Sequence, residues 1–465
     1  MDRRRVCLTR LVHVGFLLSH PPRSTLLPAV FAVLSVDFDF TLASYKPALG
    51  ETIYQLAKQQ LMTARQYPES LRELKYDPDF AVRGVAYDTK RGALLKLDFL
   101  HAVSLGNAFF GRRQMTHQEI VTAYGSLVVS GAELAAFRPL VDLFCLPEAC
   151  LISDVIQHFV DRGTPFHPAY VYSDVKHAVS HLHESGILHS TISSQPEVYI
   201  EESPSIVELL QTQRAAGRKI FMLTNSGFKF VDAVLNHITR HRLQAGEWLS
   251  LFDLVCVAAD KPSWYKEERP FRSLNPHTGK VRWVPINELL PGNVYYGGSF
   301  HELNRLSKGA FQGQHVLYLG DHVFSDLSKP SRIGWRTGAI IRELEREVQL
   351  QTSPPYKDLL ATLMTIERTL RVEQCNRGAV GQPGAMAALR SERERTREEL
   401  KVMFNRHFGS VFRSHSGPTL FSQSILRYSD IYTSHVENLL KLSPDHVLLP
   451  RRLSMPHEPT HVGLG

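Results

Sequence analysis

The chain has 465 residues, enough for about two or three structural units, with 43% hydrophobic and 21% charged residues. Those are ordinary globular values and exclude a disordered or low-complexity chain. The formal charge of +7, from 53 basic against 46 acidic residues, reads as a solvated basic face that also suits a small phosphorylated substrate. No arginine-rich block or basic–aromatic alternation points to a specific nucleic-acid or membrane partner.

At the amino terminus, "MDRRRVCLTR" is basic, and "LVHVGFLLS", residues 11–19, is too short to span a bilayer. Residues 1–30 read as a basic and apolar extension. Asp2 is the only acid before Asp37, which leaves a mitochondrial presequence as the alternative to a cytoplasmic chain. The cysteines, Cys7, Cys145, Cys150, Cys256 and Cys375, are scattered without a C-x-x-C pair. Neither a zinc knuckle nor a disulfide framework is indicated, and a reducing compartment fits.

The first strand signal is "VLSVDFDFTLASYKP", residues 33–47, an apolar run ending on Asp37, Asp39 and Thr41. Two acids two positions apart repel each other unless a cation or a shared reaction offsets the repulsion. Roughly 180 residues then separate this run from the next comparable one, far more than one crossover needs. They include the mostly helical stretch "HQEIVTAYGSLVVSGAELAAFRPLVDLFCLPEACLISDVIQHFVDR". A cap insertion over residues 61–189, placed above the strand ends, is the economical reading.

From there strands and helices alternate. "SPSIVELLQTQRAAGRK" is an amphipathic helix, and "KIFMLTNS" is a strand ending at Thr224, Asn225 and Ser226. "GFKFVDAVLNHITRHRL" is a second helix, and "FDLVCVAADKP" a strand ending at Asp260 and Lys261. Residues 262–314 form an excursion with a hairpin-like turn at Gly279. "HVLYLGDHVFSD" carries Asp321 and Asp326, and "GWRTGAIIREL" supplies a last strand. Short apolar runs without period-two alternation mark parallel strands buried on both faces. Strand–helix alternation predicts an α/β doubly wound sheet with a core of residues 31–60 and 190–350. Ligands bind beyond the carboxyl ends of such strands. Residues 351–465 read as a helical extension for packing and oligomerisation. It comprises two long charged helices joined by "NRGAVGQPGAM", and a third helix in "FSQSILRYSDIYTSHVENLLKL".

Singly, each polar residue at a strand end could be a cap or a turn former. Their order, D-x-D-x-T, T-N-S, K-P and G-D-x-x-x-x-D, resembles the haloacid dehalogenase superfamily of phosphotransferases. The chemistry of each position can be stated on its own terms. Asp37 is the candidate nucleophile, and Asp39 the acid that protonates the leaving oxygen and later deprotonates water. Thr41 is expected to brace the turn that aims Asp39, and to lie at the substrate. Thr224, Asn225 and Ser226 supply donors for phosphate oxygens, and Lys261 supplies a fixed cation. A hard cation with oxygen ligands, Mg2+, would be held by Asp37, the Asp39 carbonyl and Asp321, with Asp326 behind them.

Longer stretches carry a closer resemblance. "LKYDPDFAVRGVAYD", "LFCLPEACLISDVI", "FDLVCVAADKPSWY", "LYLGDHVFSDL" and "NRHFGSVFRSHSGPTLFSQ" are similar to the cytosolic purine 5′-nucleotidase family. Within it they resemble the subgroup of 5′-nucleotidase domain-containing proteins 2, 3 and 4. The resemblance covers about residues 31–458. It implies a 5′-nucleotidase that releases phosphate from nucleoside 5′-monophosphates. The cap helix "DVKHAVSHLHESGILH" departs from the family. Where the characterised purine nucleotidase has arginine, aspartate, histidine and lysine for the nucleotide, this chain has Lys176, Ser180, His183 and His189. Lys176 and His183 are the candidate substrate contacts, but lysine cannot replace the bidentate fork of arginine. The readings left open are a phosphatase for another small phosphate ester and a phosphatase-fold interaction protein with little turnover.

Overall fold

The computed structural model describes residues 17–18, 27–28, 31–375, 383–415, 417–443 and 446–448. Most of the expected amino-terminal extension and residues 376–382 of the linker lie outside the described residues. The chain divides into two compact units. The first holds the residues up to Ser44, Glu202–Arg342 and those from Ile425 onward; the second holds Tyr45–Glu201 and Glu343–Ser424.

The first unit is built on nine strands: β1 (Val33–Val36), β2 (Lys219–Leu223), β3 (Leu254–Val257), β4 (Phe271–Leu274), β5 (Val281–Pro285), β6 (Asn293–Gly297), β7 (Val316–Gly320), β8 (Arg336–Ile340) and β9 (Ile431–Thr433). They run in the order β9-β8-β7-β1-β2-β3-β6-β4-β5, with the dipeptide Leu17–Leu18 beyond β9. Every neighbouring pair from β9 to β6 is parallel. The β4–β5 hairpin and Leu17–Leu18 pair antiparallel at opposite edges. All four residues of β1 and all five of β7 are buried, as required of strands covered on both faces. This is the α/β doubly wound parallel sheet expected from the apolar runs. Strand order reverses at β1, flanked by β2 on one side and β7 on the other. A crevice therefore opens at the carboxyl end of β1, immediately before Asp37.

The carboxy-terminal stretch differs from expectation. The third helix predicted there runs only over Leu420–Tyr428, and Ile431–Thr433 is a strand beside β8. Asp430 breaks the helix: its N–H donates to the Thr337 carbonyl (2.8 Å), and its Oδ2 accepts from Thr337 N (2.8 Å). The β-branched Ile431 and Thr433 then extend the sheet, so pairing overrides the apolar stripe that reads as helical.

The second unit combines helices with a five-stranded antiparallel sheet that the sequence reading did not separate. Its order is Arg113–Gln114, Val103–Phe110, Ala93–Leu97, Ala86–Asp88 and Phe137–Pro139. The helix Ala48–Ala64 buries Leu49, Ile53, Tyr54, Ala57 and Leu61 against the helices Cys145–Asp161 and Pro168–Glu184. That packing groups it with this unit, although the sequence reading placed residues up to 60 in the core. The two long charged helices, Pro354–Cys375 and Pro383–Phe404, pack on each other, joined by an Arg397–Glu367 ion pair at 2.6 Å. Among the described residues, no helix is long and apolar enough to cross a membrane.

Arg83 is 1% exposed and makes two hydrogen bonds to Glu343, Nε to Oε1 at 3.0 Å and Nη2 to Oε2 at 2.6 Å. Its guanidinium also faces the Phe421 ring. Removing the carboxylate strands a buried charge, whereas replacing the arginine does not. Glu343→Ala is expected to destabilise the protein by about 3 kcal/mol in urea unfolding, and Arg83→Met by less. Equal losses would contradict this.

Candidate functional site

The segments that follow β1, β2, β3 and β7 deliver polar groups to the crevice at the end of β1. Asp37 follows β1 directly, with its N–H fixed to the Leu319 carbonyl of β7 (2.8 Å). The chain then turns back on itself. Thr41, Leu42 and Ala43 donate their N–H groups to the Phe38 carbonyl, and Phe40 adopts φ +51°. This backbone turn brings Asp39 to Ser226, whose Oγ donates to Asp39 Oδ2 at 2.6 Å. The Thr41 hydroxyl expected to brace the turn is buried without a hydrogen-bond partner; backbone hydrogen bonds do that work.

Lys261 is the hub of the site. It is 6% exposed. Its ammonium lies 2.9 Å from Asp37 Oδ1 and 2.8 Å from Asp326 Oδ1, and donates to the Tyr318 hydroxyl at 2.8 Å. The backbone of Lys261 is clamped by Asn225, whose Nδ2 donates to the Lys261 carbonyl (3.0 Å) while its Oδ1 accepts from Lys261 N (2.6 Å). The next turn is tied back as well, since Ala258 N donates to the Ser226 carbonyl and Ala259 N to the Thr224 carbonyl. Thr224 is fully buried, and its Oγ1 accepts from Ser226 N at 3.0 Å.

Asp326 is fully buried in the π-helical turn Val323–Ser328 after β7. Its Oδ1 accepts from Lys261 and, at 3.3 Å, from Tyr318; its Oδ2 accepts from His322 N at 3.1 Å. This close seat depends on Gly320, because a Cβ there would fall 2.4 Å from the Asp326 Cβ. Carboxylate oxygens of Asp37, Asp321 and Asp326 all lie within 4.8 Å of one another.

Electrostatics follow from this crowding. Burial pushes the Asp37 carboxyl well above its usual pKa, opposed by Lys261 and reinforced by Asp326 and Asp39. Burial also acts on Asp326, but the charges of Lys261 and His322 hold it below its usual range. Lys261 is raised despite its own desolvation, by Asp326 and Asp37. The Lys261 ammonium thus contacts two acids, Asp37 and Asp326, with Asp321 grouped beside them. Asp37, Asp321 and Asp326 offer oxygens within reach of a single ion, so hard oxygen donors and surplus negative charge fit a divalent cation.

The structure brings together Asp37, Asp39, Thr224, Asn225, Ser226, Lys261, Asp321 and Asp326 in the first unit. Asn225 and Ser226, expected as phosphate donors, spend their side chains on the Lys261 backbone and on Asp39. Lys176 and His183 belong to the second unit. There Lys176 pairs with the buried Glu148 at 3.1 Å, and the His183 ring meets Phe144 edge-on at 5.2 Å. Tyr318 and Gly320 escaped the sequence reading. The tyrosine hydroxyl in an otherwise aliphatic strand was the available signal for the first.

Comparisons of the sequence with known proteins point to one family. The model of the 5′ nucleotidase family matches residues 30–460. A 5′-nucleotidase domain-containing protein of Dictyostelium discoideum is 38% identical over 430 residues, covering 92% of this chain and 72% of that protein. The 5′-nucleotidase domain-containing protein 2 of Homo sapiens is 35% identical over 436 residues, covering 92% and 82%. Its counterpart of Rattus norvegicus is 36% identical, covering 92% and 77%. Among solved structures, a putative HAD-hydrolase of Bacillus subtilis bound to magnesium is 12% identical, covers 67% of this chain and 88% of that one, and aligns with a TM-score of 0.24.

The Gly320 contact gives a direct test. Gly320→Ala is expected to destabilise the protein by about 1–3 kcal/mol, measured by chemical unfolding; an unchanged midpoint would contradict the close packing against Asp326.

Proposed function

The chain belongs to the 5′ nucleotidase family, and from that premise we propose that it is a Mg2+-dependent phosphoric monoester hydrolase that cleaves nucleoside 5′-monophosphates through an aspartyl phosphate. The observation that carries this reading is the buried Lys261 ammonium bridging Asp37 and Asp326 beside Asp321. Among the described residues, Lys261 and Phe38 N (2.8 Å) both bond to Oδ1 of the Asp37 carboxylate, and Oδ2 is the oxygen that attacks.

In the first step the Asp37 oxygen–phosphorus bond forms and the phosphorus–ester oxygen bond breaks. Asp39, held by Ser226, gives its proton to the departing oxygen. In the second, Asp39 takes a proton from water as the water oxygen bonds to phosphorus and the acyl phosphate bond breaks. The Thr224 hydroxyl, with its acceptor side engaged by Ser226 N, keeps its proton for a phosphoryl oxygen. Backbone N–H groups at the start of the helix Phe228–Thr239 add donors of the same kind. Lys261 sets a fixed positive charge against nucleophile and phosphoryl group alike. Asp37, the Asp39 carbonyl and Asp321 would hold Mg2+, which when bound neutralises charge on the phosphoryl oxygens. Asp326 has both oxygens engaged by protein donors and acts by positioning Lys261.

Phosphate release from a panel of nucleoside 5′-monophosphates tests this reading. Activity is expected with Mg2+, to vanish in chelator and to return on adding Mg2+. Asp37→Asn is expected to lose on the order of a thousandfold or more, and Asp39→Asn about a hundredfold or more. Wild-type rates in Asp37→Asn, or indifference to chelator, would overturn it. Turnover confined to other phosphate esters would overturn the substrate class.

A further inference from the structure

The second unit holds a half-open cavity of about 500 Å3, formed by its antiparallel sheet, the helices Pro354–Cys375 and Pro383–Phe404, and the loop that follows them. Four cationic residues, Lys96, Arg397, Lys401 and Arg413, line it together with Asn107 and His415, and no carboxylate is among the lining residues. The volume is that of a small-molecule site.

The charges are held in unusual ways. Lys96, 2% exposed, donates to three backbone carbonyls, those of Phe408 (2.6 Å), Ser410 (2.6 Å) and Arg413 (2.8 Å); burial lowers its pKa to about 7, opposed by the charge of the nearby buried Glu347. Arg397 pairs with Glu367 at 2.6 Å and Glu394 at 3.4 Å, yet its Nε is buried with no partner. Lys401 pairs with Glu398 at 2.7 Å. Asn107 is 2% exposed and its Oδ1 has no partner either. A buried donor and a buried acceptor left unpaired at one cavity are costly unless a ligand engages them. Burial first, and then the neighbouring Arg397 and Lys96, lower the His415 pKa to about 4. Leu363, Leu400 and Phe404 give the cavity an apolar wall.

We propose that this cavity binds a small phosphorylated molecule. Its phosphate meets Arg397 Nε and Arg413, a hydroxyl reaches Asn107, and its apolar body lies on Leu363, Leu400 and Phe404. The site is composed wholly of second-unit residues and uses none of the residues of the carboxylate crevice.

Hydrogen-exchange mass spectrometry of the full chain with phenylphosphonate, whose carbon–phosphorus bond phosphomonoester chemistry does not cleave, tests this directly. Saturable protection is expected in residues 396–404 and 408–415. Arg413 is exposed, so Arg413→Gln is expected to fold and to raise the half-saturating concentration there about tenfold, leaving any protection near Asp37 unchanged. Protection only near Asp37, none at all, or protection at 396–415 that Arg413→Gln leaves unaltered would overturn the proposal.

Discussion

The first unit's site depends on one buried ammonium. Asp37 and Asp326 lie on the same cation at 2.9 and 2.8 Å, and both carboxylates are buried. Without Lys261, burial and mutual repulsion would act together on Asp37, as the upward push on its carboxyl already registers. Everything nearby serves that contact. Asn225 fixes the lysine backbone, Tyr318 takes a third hydrogen bond, and Gly320 leaves room for Asp326 to approach.

Sheet topology explains why residues almost 300 positions apart converge. Parallel strands all present their carboxyl ends to one side, so a polar residue that ends any strand joins the others there. The reversal of order at β1 then puts Asp37 between the loops of β2 and β7. Asp39 reaches Ser226 across one side, and Asp37 reaches Lys261, Asp321 and Asp326.

This geometry also explains what was legible in the sequence. Buried parallel strands read as uninterrupted apolar runs, and the residues that end them stand out as the first polar groups. Asp37, Thr224, Lys261 and Asp321 stand at such strand ends, and it is their order along the chain that singles them out as candidates. Groups that act from within the apolar pattern do not stand out in this way. Tyr318 reads as a core aromatic and Gly320 as a turn residue, until the structure shows what their hydroxyl and missing side chain allow. Asn225 and Ser226 show a related limit: a side chain expected to donate to phosphate can equally hold a neighbour, here the Lys261 backbone and Asp39. In the second unit, strands as short as Ala86–Asp88 and Phe137–Pro139 carry too few residues for a period to show. At Ile431–Thr433, the helical stripe lost to pairing with β8, a long-range contact that local pattern cannot encode.

The two units express different solutions to buried charge. One gathers carboxylates around a single lysine and fits a cation; in the other, lysines and arginines line a cavity while glutamates behind them pair with Arg397 and Lys401. The central claim concerns the first, namely that Asp37 itself forms a bond to phosphorus. Acid quenching during turnover, borohydride reduction of the acyl phosphate and peptide mass spectrometry would locate that bond. The account predicts reduction at Asp37, in the peptide that follows Val36. Phosphate release with Asp37 unreduced, or with the modification on another residue, would contradict it.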